Sequence, residues 1–216
     1  MKTESALQDN SLNWDNDIAI SRLKEISQEA ISVHTLFAET SLNAIAEIAE
    51  VIALALSSGA TLYLFGNGGS AADAQHVAGE LVGRFLQDSD PWPAIALTTD
   101  SSVLTCIGND WDYEDVFARQ VRAHVRKGDV VAGISTSGAS PNVVKALKDA
   151  SNRGAITIGF TGEMGLEMRN LTDYCYVAPV RHTPRVQELH LLAWHSICEL
   201  VENALMAQKN NTINQG

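Results

Sequence analysis

Positive charge, cysteine and long apolar runs are all scarce in this sequence. The 216 residues include 15 Lys and Arg against 26 Asp and Glu, a formal net charge of −11. Because nucleic-acid binding depends on a basic surface, this balance argues against nucleic acid as the main ligand. The three cysteines are an odd number in apolar surroundings, which predicts buried thiols in a reducing cytoplasm. The apolar run 51–56 is too short to span a membrane, and we recognise no signal peptide.

Nucleotide-binding motifs are missing as well. No G-x-x-x-x-G-K-[ST] is present, so no lysine is placed for the β- and γ-phosphates of ATP. No G-x-G-x-x-G is followed about 20 positions later by an acidic residue that would bind a ribose. A phosphate site in this chain would therefore favour a small phosphorylated metabolite over ATP or NAD.

Two short loops rich in glycine and hydroxyl residues are the strongest functional signal. Residues 66–70 (Gly-Asn-Gly-Gly-Ser) and 135–140 (Ser-Thr-Ser-Gly-Ala-Ser) each follow a strand-like apolar run and precede a helix-like segment. In such a loop the glycines allow close backbone approach, and N–H groups at the helix start bind an anion together with the hydroxyls. One loop of this kind is as often an empty tight turn. Two matched loops predict a single phosphate held by many hydroxyls.

Apolar periodicity divides the chain, predicted to be one domain over residues 1–216, into a helical part and an alternating part. Residues 18–58 predict two helices broken near 39–41, with Thr40 or Ser41 as the cap of the second. After them, short β-rich runs alternate with helices, which predicts an α/β fold with a parallel sheet covered on both faces. The predicted strands are 61–65, 93–97, 129–134, 155–160 and 174–178, and the clearer helices are 70–83, 112–126, 140–152 and about 184–208. Residues 1–16 and 209–216 are predicted to be loose tails.

The predicted helix after the first loop carries a histidine and a carboxylate one turn apart. His76 and Glu80 are four residues apart, so both side chains lie on one face and could share a metal ion or a proton path. Arg84 follows after four more residues and is predicted on the same face, where it could pair with Glu80 or reach a substrate oxyanion. An isolated H-x-x-x-E is usually a solvated helix face, and the adjacent phosphate loop favours the functional interpretation.

The C-terminal predicted helix offers a second group of polar residues. It contains Gln187, Glu188, His190 and His195, with His195 in an apolar stretch where a core histidine would be common. Spacing alone does not distinguish His190 from His195 as the functional imidazole. Gln187 and His195 would be separated by about 12 Å along a straight helix and by about 80° around it. This geometry predicts either a helix that starts after Gln187 or, the alternative we favour, a site shared between subunits.

These residues resemble, in chain order, the phosphoheptose isomerase family (sedoheptulose 7-phosphate isomerases, GmhA-like). The resemblance runs from about residue 20 to 208, and its segments are 66–70, 73–76 with Glu80, 83–85, 94–97 with 99–100, 108–110, 135–138 with 140–143, and 183–188 with His190 and His195. It implies the sugar isomerase (SIS) fold: a three-layer α/β sandwich whose five-stranded parallel sheet is flanked by helices, with an N-terminal helical hairpin. It also implies a homotetramer in the cytoplasm.

The resemblance implies a role for each matching residue. His76, Glu80, Gln187 and His195 match zinc ligands, one ion for each site, and Glu80 with His195 matches the acid–base pair. The implied substrate-binding residues are Asn67, Gly68, Ser70, Arg84, Thr99, Asp100, Ser135, Thr136, Ser137, Ser140 and Gln187. Ala139 replaces the asparagine usual in the second loop, and Thr183-Pro184 replaces an acidic residue of some members, so no role is assigned there.

The implied reaction is the isomerisation of sedoheptulose 7-phosphate to D-glycero-D-manno-heptose 7-phosphate. This is the first step towards ADP-heptose for the lipopolysaccharide core. A related branch, the DnaA initiator-associating protein (DiaA), keeps the fold and the tetramer but binds the replication initiator DnaA. That branch typically lacks the residues corresponding to Glu80 and His195. This sequence has both, so it favours the enzyme.

Overall fold

The computed structural model describes residues 14–213 and shows five parallel strands in one sheet, in the order β2-β1-β3-β4-β5. Thirteen helices and strands follow one another, with a short 3-10 turn at Tyr113–Asp115. They are α1 (Asn16–Thr40), α2 (Leu42–Ser57), β1 (Leu62–Gly66), α3 (Gly69–Val82), β2 (Ala94–Ala96), α4 (Ser101–Asp110), α5 (Ala118–His124), β3 (Val130–Ile134), α6 (Pro141–Asn152), β4 (Ile156–Gly162), α7 (Leu166–Leu171), β5 (Tyr174–Ala178) and α8 (Thr183–Ile213). The predicted α/β class and strand order along the chain are confirmed.

The chain divides into two compact units, Met1–Ser32 and Val33–Gly216. Of the first, the structure describes residues 14–32, which form the start of α1. Asp15 begins this helix, because its Oδ1 accepts hydrogen bonds from the N–H groups of Asp17 (2.9 Å) and Ile18 (3.1 Å). The predicted loose tail at residues 1–13 lies outside the described residues.

The second unit contains the sheet, and alternate strand residues pack into separate cores. Leu62 and Leu64 belong to a core that includes residues of α2, α3 and α8. Tyr63 and Phe65 face the opposite side, where residues of α4, α5, α6 and α7 pack. This alternation follows from the two-residue period of a strand, and both faces of the sheet are covered as predicted.

Side-chain capping explains most of the differences from the predicted elements. Residues 112–126 are not one helix, because Asp112 caps a 3-10 turn through Glu114 N at 2.9 Å and α5 begins only at Ala118. The unpredicted α4 begins where Asp100 Oδ1 accepts Val103 N at 3.0 Å. Ser41, one of the two predicted caps, is the N-cap residue of α2, but its side chain makes no capping hydrogen bond to that helix.

The last helix is longer than predicted at its C-terminal end. α8 begins at Thr183, with Pro184 in its first turn where proline is well tolerated, and continues to Ile213. The predicted loose tail is therefore helical over residues 209–213, and 214–216 lie outside the described residues. No single described helix is long and apolar enough to cross a membrane, although α1 and α2, bent by 67°, meet both criteria as a pair.

Candidate active site

The two glycine- and hydroxyl-rich loops lie side by side at the carboxyl ends of neighbouring strands. Gly66 at the end of β1 pairs with Ile134 at the end of β3. β1 has β2 on one side and β3 on the other, so the connections from β1 and β3 depart in opposite directions. A crevice at such a switch point is the usual ligand site of an open parallel sheet.

The first loop restricts side chains at two of its glycines, by close packing at Gly66 and by backbone conformation at Gly68. A Cβ at Gly66 would lie 2.7 Å from the Ile134 carbonyl oxygen and 2.7 Å from Ser70 Cβ. Gly68 has φ +56°, in the left-handed region that favours glycine. Ser70 is buried in the first turn of α3. The start of α3 is thereby held directly against the end of β3.

Three hydroxyls of the second loop face one another. Ser135 Oγ lies 2.8 Å from Ser140 Oγ and 3.3 Å from Ser137 Oγ. Ser140 is the N-cap residue of α6, yet its hydroxyl makes no capping bond to that helix. The hydroxyl therefore remains free of the usual capping role and points into the group of serines. Thr136 accepts Gly162 N–H through its carbonyl oxygen at 3.0 Å.

A reciprocal amide pair joins the first loop to the first turn of α6, which follows the second loop. Asn67 Nδ2 donates to Asn142 Oδ1 at 2.9 Å, and Asn142 Nδ2 donates to Asn67 Oδ1 at 2.8 Å. A cavity of about 270 Å³ adjoins this pair; it is lined by Asn67, Tyr113, Glu114, Ser140, Pro141 and Asn142. The cavity therefore adjoins both loops, next to the serine hydroxyls.

A cluster of two imidazoles and one carboxylate forms where α3 meets α8. His76 Nε2 lies 2.8 Å from His195 Nε2 and 3.2 Å from Glu80 Oε1. One donor atom from each of the three residues lies within 4.8 Å of the other two. Ligand atoms at about 2.0–2.2 Å from a zinc ion have similar mutual separations, and nitrogen and carboxylate oxygen are donors that zinc accepts. The cluster therefore fits a divalent metal.

Gln187 lies two turns before His195 on the same continuous helix. A Cβ at Gly69 would overlap Gln187 Nε2, so the amide packs against the start of α3. α3 and α8 thus run in the same direction side by side, with Gln187 at Gly69 and His195 at His76. The predicted late start of the last helix is wrong, since α8 begins at Thr183. The predicted site shared between subunits stays a prediction, although one chain by itself brings His76, Glu80 and His195 together.

The two histidines that spacing could not distinguish have different environments. His190 is fully buried, its Nε2 lies 3.1 Å from the Thr161 carbonyl oxygen, and burial lowers its pKa to about 4. It is a neutral core residue at neutral pH. His195 is only partly buried and faces His76 across the cluster. The structure therefore brings His195, and not His190, to the site.

Three other predicted site residues, Arg84, Thr99 and Asp100, lie outside the cluster and the two loops. Arg84 is exposed and lies beyond α3, which ends at Val82 with Gly83 as its C-cap. Its predicted place on the same helical face as Glu80 is wrong. Thr99 and Asp100 follow β2, and both side chains make local bonds: Thr99 Oγ1 to the Ala96 carbonyl oxygen at 3.3 Å, and Asp100 as the cap of α4.

Two residues near the cluster were not assigned from the sequence. Asp73, three residues before His76, is half-buried. Burial raises the pKa of its carboxyl to about 6, although the nearby charge of His76 acts to lower it. Its helical spacing from His76 was a usable signal. The ring of Phe85 stacks on His195 with centroids 5.7 Å apart. No periodic pattern predicts that contact, because Phe85 lies in a loop.

Comparisons with known proteins agree with this geometry. A sequence profile of the SIS domain matches residues 27–162. A phosphoheptose isomerase of Aquifex aeolicus is 49% identical over 183 residues, which are 85% of this chain and 96% of that protein. A phosphoheptose isomerase of Bradyrhizobium sp. (strain BTAi1 / ATCC BAA-1182) is 55% identical over 159 residues, which are 74% of this chain and 80% of that protein. The structure of phosphoheptose isomerase GmhA from Neisseria gonorrhoeae superposes with a TM-score of 0.81 at 37% identity, covering 86% of this chain and 99% of that one. This chain is an isomerase that belongs to the phosphoheptose isomerases of the SIS domain family.

Proposed function

We propose that this chain converts sedoheptulose 7-phosphate to D-glycero-D-manno-heptose 7-phosphate by aldose–ketose isomerisation. The observation that carries the proposal is the position of the His76–Glu80–His195 cluster on α3, the helix that starts in the first glycine-rich loop. A phosphate held at that loop would place the other end of a sugar within reach of the cluster. The relatives, named phosphoheptose isomerases, support a phosphorylated heptose as substrate.

The serine hydroxyls would bind the phosphate. Ser135, Ser137 and Ser140 already face one another, and Ser70 lies in the first turn of α3, where backbone N–H groups favour an anion. Thr136 adds a further donor. Asn67, Gly68, Arg84, Thr99 and Asp100 are assigned to the sugar, around the crevice beside the loops.

Glu80 and His195 would move the protons. The Glu80 carboxylate removes a proton from C1 of the ketose while His195 donates one to the C2 carbonyl oxygen, which gives an enediol. The O1 proton then leaves to His195, and Glu80 returns its proton to C2, which leaves the aldehyde at C1. No atom is gained or lost, so the reaction needs no oxidant or reductant. Positioned acid–base groups of this kind contribute about 10²–10⁴-fold to rate.

A zinc ion would be held by His76, Glu80 and His195, with Gln187 added by the family resemblance. When bound, such an ion polarises a carbonyl as a Lewis acid. The Gln187 amide lies against Gly69, which supports a substrate-binding role at the first loop beside its assignment as a ligand.

The remaining parts of the proposal concern the whole protein. We assign residues 1–216 to a single SIS domain that works as a cytoplasmic homotetramer at the first step towards ADP-heptose for the lipopolysaccharide core. Leu54 on α2 and Leu200 on α8 support the assembly, because they are 62% and 46% exposed and line one apolar groove.

Incubation of the purified protein with sedoheptulose 7-phosphate, followed by NMR, tests the function. The aldose C1 signal should appear and the ketose should fall to an equilibrium ratio that is the same from either direction. Glucose 6-phosphate and fructose 6-phosphate serve as controls for substrate length. No conversion, combined with binding to the initiator DnaA, would instead support the DiaA-like alternative.

A further inference from the structure

Glu202 on α8 is a buried carboxylate that binds the backbone of a distant loop. Its side chain is fully buried. Oε1 accepts Gln87 N at 3.0 Å and Leu86 N at 3.2 Å, and Oε2 lies 3.2 Å from the same Leu86 N. Among residues 14–213, no Lys, Arg or His is recorded in an ion pair with it. A buried charge is costly unless it is hydrogen-bonded, so these two amides are what stabilises it there.

The loop that Glu202 holds connects α3 to β2, and it combines packing of Phe85 and Trp92 against the core with polar contacts to α8. Leu86 is 61% exposed, so apolar burial of its side chain does not fix the loop. Gln87 Nε2 donates to Asn203 Oδ1 at 2.7 Å, and Lys209 Nζ lies 2.6 Å from Asp90 Oδ2. Both of these pairs are solvent-exposed, where such contacts contribute little. Glu202 is the buried contact among the three.

The same loop carries Phe85, which contacts His195, and Arg84, which the proposed function assigns to the sugar. Phe85 stacks on His195, and Arg84 precedes it at the exit of α3. Glu202 lies seven residues after His195, two helical turns along one face of α8. One rigid helix therefore presents the imidazole and also holds the loop that packs against that imidazole.

We propose that Glu202 is a positioning residue of the isomerase: its carboxylate fixes the backbone at Leu86 and Gln87. It thereby holds Phe85 on the His195 ring and fixes the adjacent backbone that carries Arg84. The proposal rests on the proposed function for the roles of Arg84 and His195. The anchoring of the loop does not depend on that function.

Glu202→Leu is the decisive variant. It removes both acceptors at similar size, and because it also removes a buried charge it need not lower the melting temperature. We expect amide hydrogen exchange at Leu86 and Gln87 to accelerate, while the α8 amides around His195 stay protected. A displacement of about 1 Å in positioning groups costs on the order of 10²-fold, so kcat/KM should fall by about 10- to 100-fold.

Two further variants separate positioning from general stability. Glu202→Gln keeps Oε1, the atom that accepts from both amides, and should retain loop protection and most of the activity. Asn203→Ala, the neighbouring exposed residue, removes only the contact with the Gln87 side chain and should leave turnover unchanged. Adding Arg84→Ala to Glu202→Leu should cost less than the two single losses combined, because both act through Arg84.

Unchanged exchange at Leu86 and Gln87 in Glu202→Leu would overturn the proposal, and so would accelerated exchange with unchanged kcat/KM. A loss of activity equal in Glu202→Gln and Glu202→Leu, matched by equal falls in melting temperature, would also overturn it. If the unaltered protein turned over no phosphoheptose, the proposed function would fail, and the exchange data would still decide whether Glu202 anchors the loop.

Discussion

At the scale of single residues, burial decides the chemistry of the two histidines on α8. His190 faces Phe160 and Tyr176 in the core, whereas His195 faces His76 and the crevice. Both histidines lie in one apolar stretch of the sequence. Only the packing of α8 on the sheet determines which of the two imidazoles is accessible to water and substrate. The sequence identifies both histidines as candidates, and the long-range contact with α3 distinguishes His195 from His190.

Replacing either member of the acid–base pair tests their assignment. Glu80→Gln and His195→Gln should each lower kcat by about 10²–10⁴-fold, because each removes one proton-transfer group. Steady-state turnover of sedoheptulose 7-phosphate is the measurement. Glu47→Gln, an exposed change on α2, is the matched control and should leave kcat unchanged. Near-normal turnover in either site variant, with the fold intact, would contradict the assignment.

The burial of His190 predicts a pH dependence of stability. Its pKa is about 4 in the folded protein and about 6.5 in an unfolded chain, so the unfolded state binds the proton first as pH falls. The contribution is fully present above about pH 6.5 and is lost progressively towards pH 4, by up to about 3 kcal/mol. Urea unfolding at several pH values measures it. His190→Gln, whose amide nitrogen occupies about the position of Nε2 and so keeps an N–H donor for the Thr161 carbonyl oxygen, should flatten the profile; an unchanged profile would refute this explanation.

At the scale of elements, the sequence predicted the strands and the positions of the two glycine- and hydroxyl-rich loops because their signals are local. Apolar runs bounded by glycine and serine are readable without knowledge of the fold. The end of α3 was missed: helical spacing placed Arg84 on the face of Glu80, whereas the helix stops at Val82 and the loop beyond it is held by α8. Such an ending depends on contacts more than 100 residues away.

Alanine substitutions at Gly66, before α3, and at Gly79, within α3, should change stability in opposite directions. A Cβ at Gly66 would be 2.7 Å from the Ile134 carbonyl oxygen, whereas one at Gly79 meets nothing within 4 Å. Gly66→Ala should therefore lower the melting temperature by separating α3 from β3. Gly79→Ala should raise stability by about 0.5–1 kcal/mol, because glycine inside a helix is entropically costly. Thermal unfolding of both variants is the check, and a neutral Gly66→Ala would show that the loops separate easily.

At the scale of the whole molecule, the structure changes the expected outcome of subunit mixing. His76, Glu80 and His195 come from one chain, so in mixed assemblies of the Glu80→Gln and His195→Ala variants every site would keep one defective residue. Turnover should stay at the level of the parent variants after subunit exchange has been verified by mass spectrometry. Mixtures of the unaltered chain with Glu80→Gln calibrate the assay. Recovered activity would show that a neighbouring subunit completes the pair.

The spacing of Gln187, His195 and Glu202 along one uninterrupted helix also limits how this protein can change in length. Inserting or deleting a single residue between Gln187 and Glu202 would rotate everything beyond it by about 100° and shift it by about 1.5 Å. The Gln187 amide could then no longer lie against Gly69 while His195 faces His76. The Glu202 carboxylate could likewise no longer accept from the Leu86 N–H in that same arrangement. We expect this stretch of α8 to tolerate substitutions at its exposed positions but no change in residue number, whereas surface connections can vary in length.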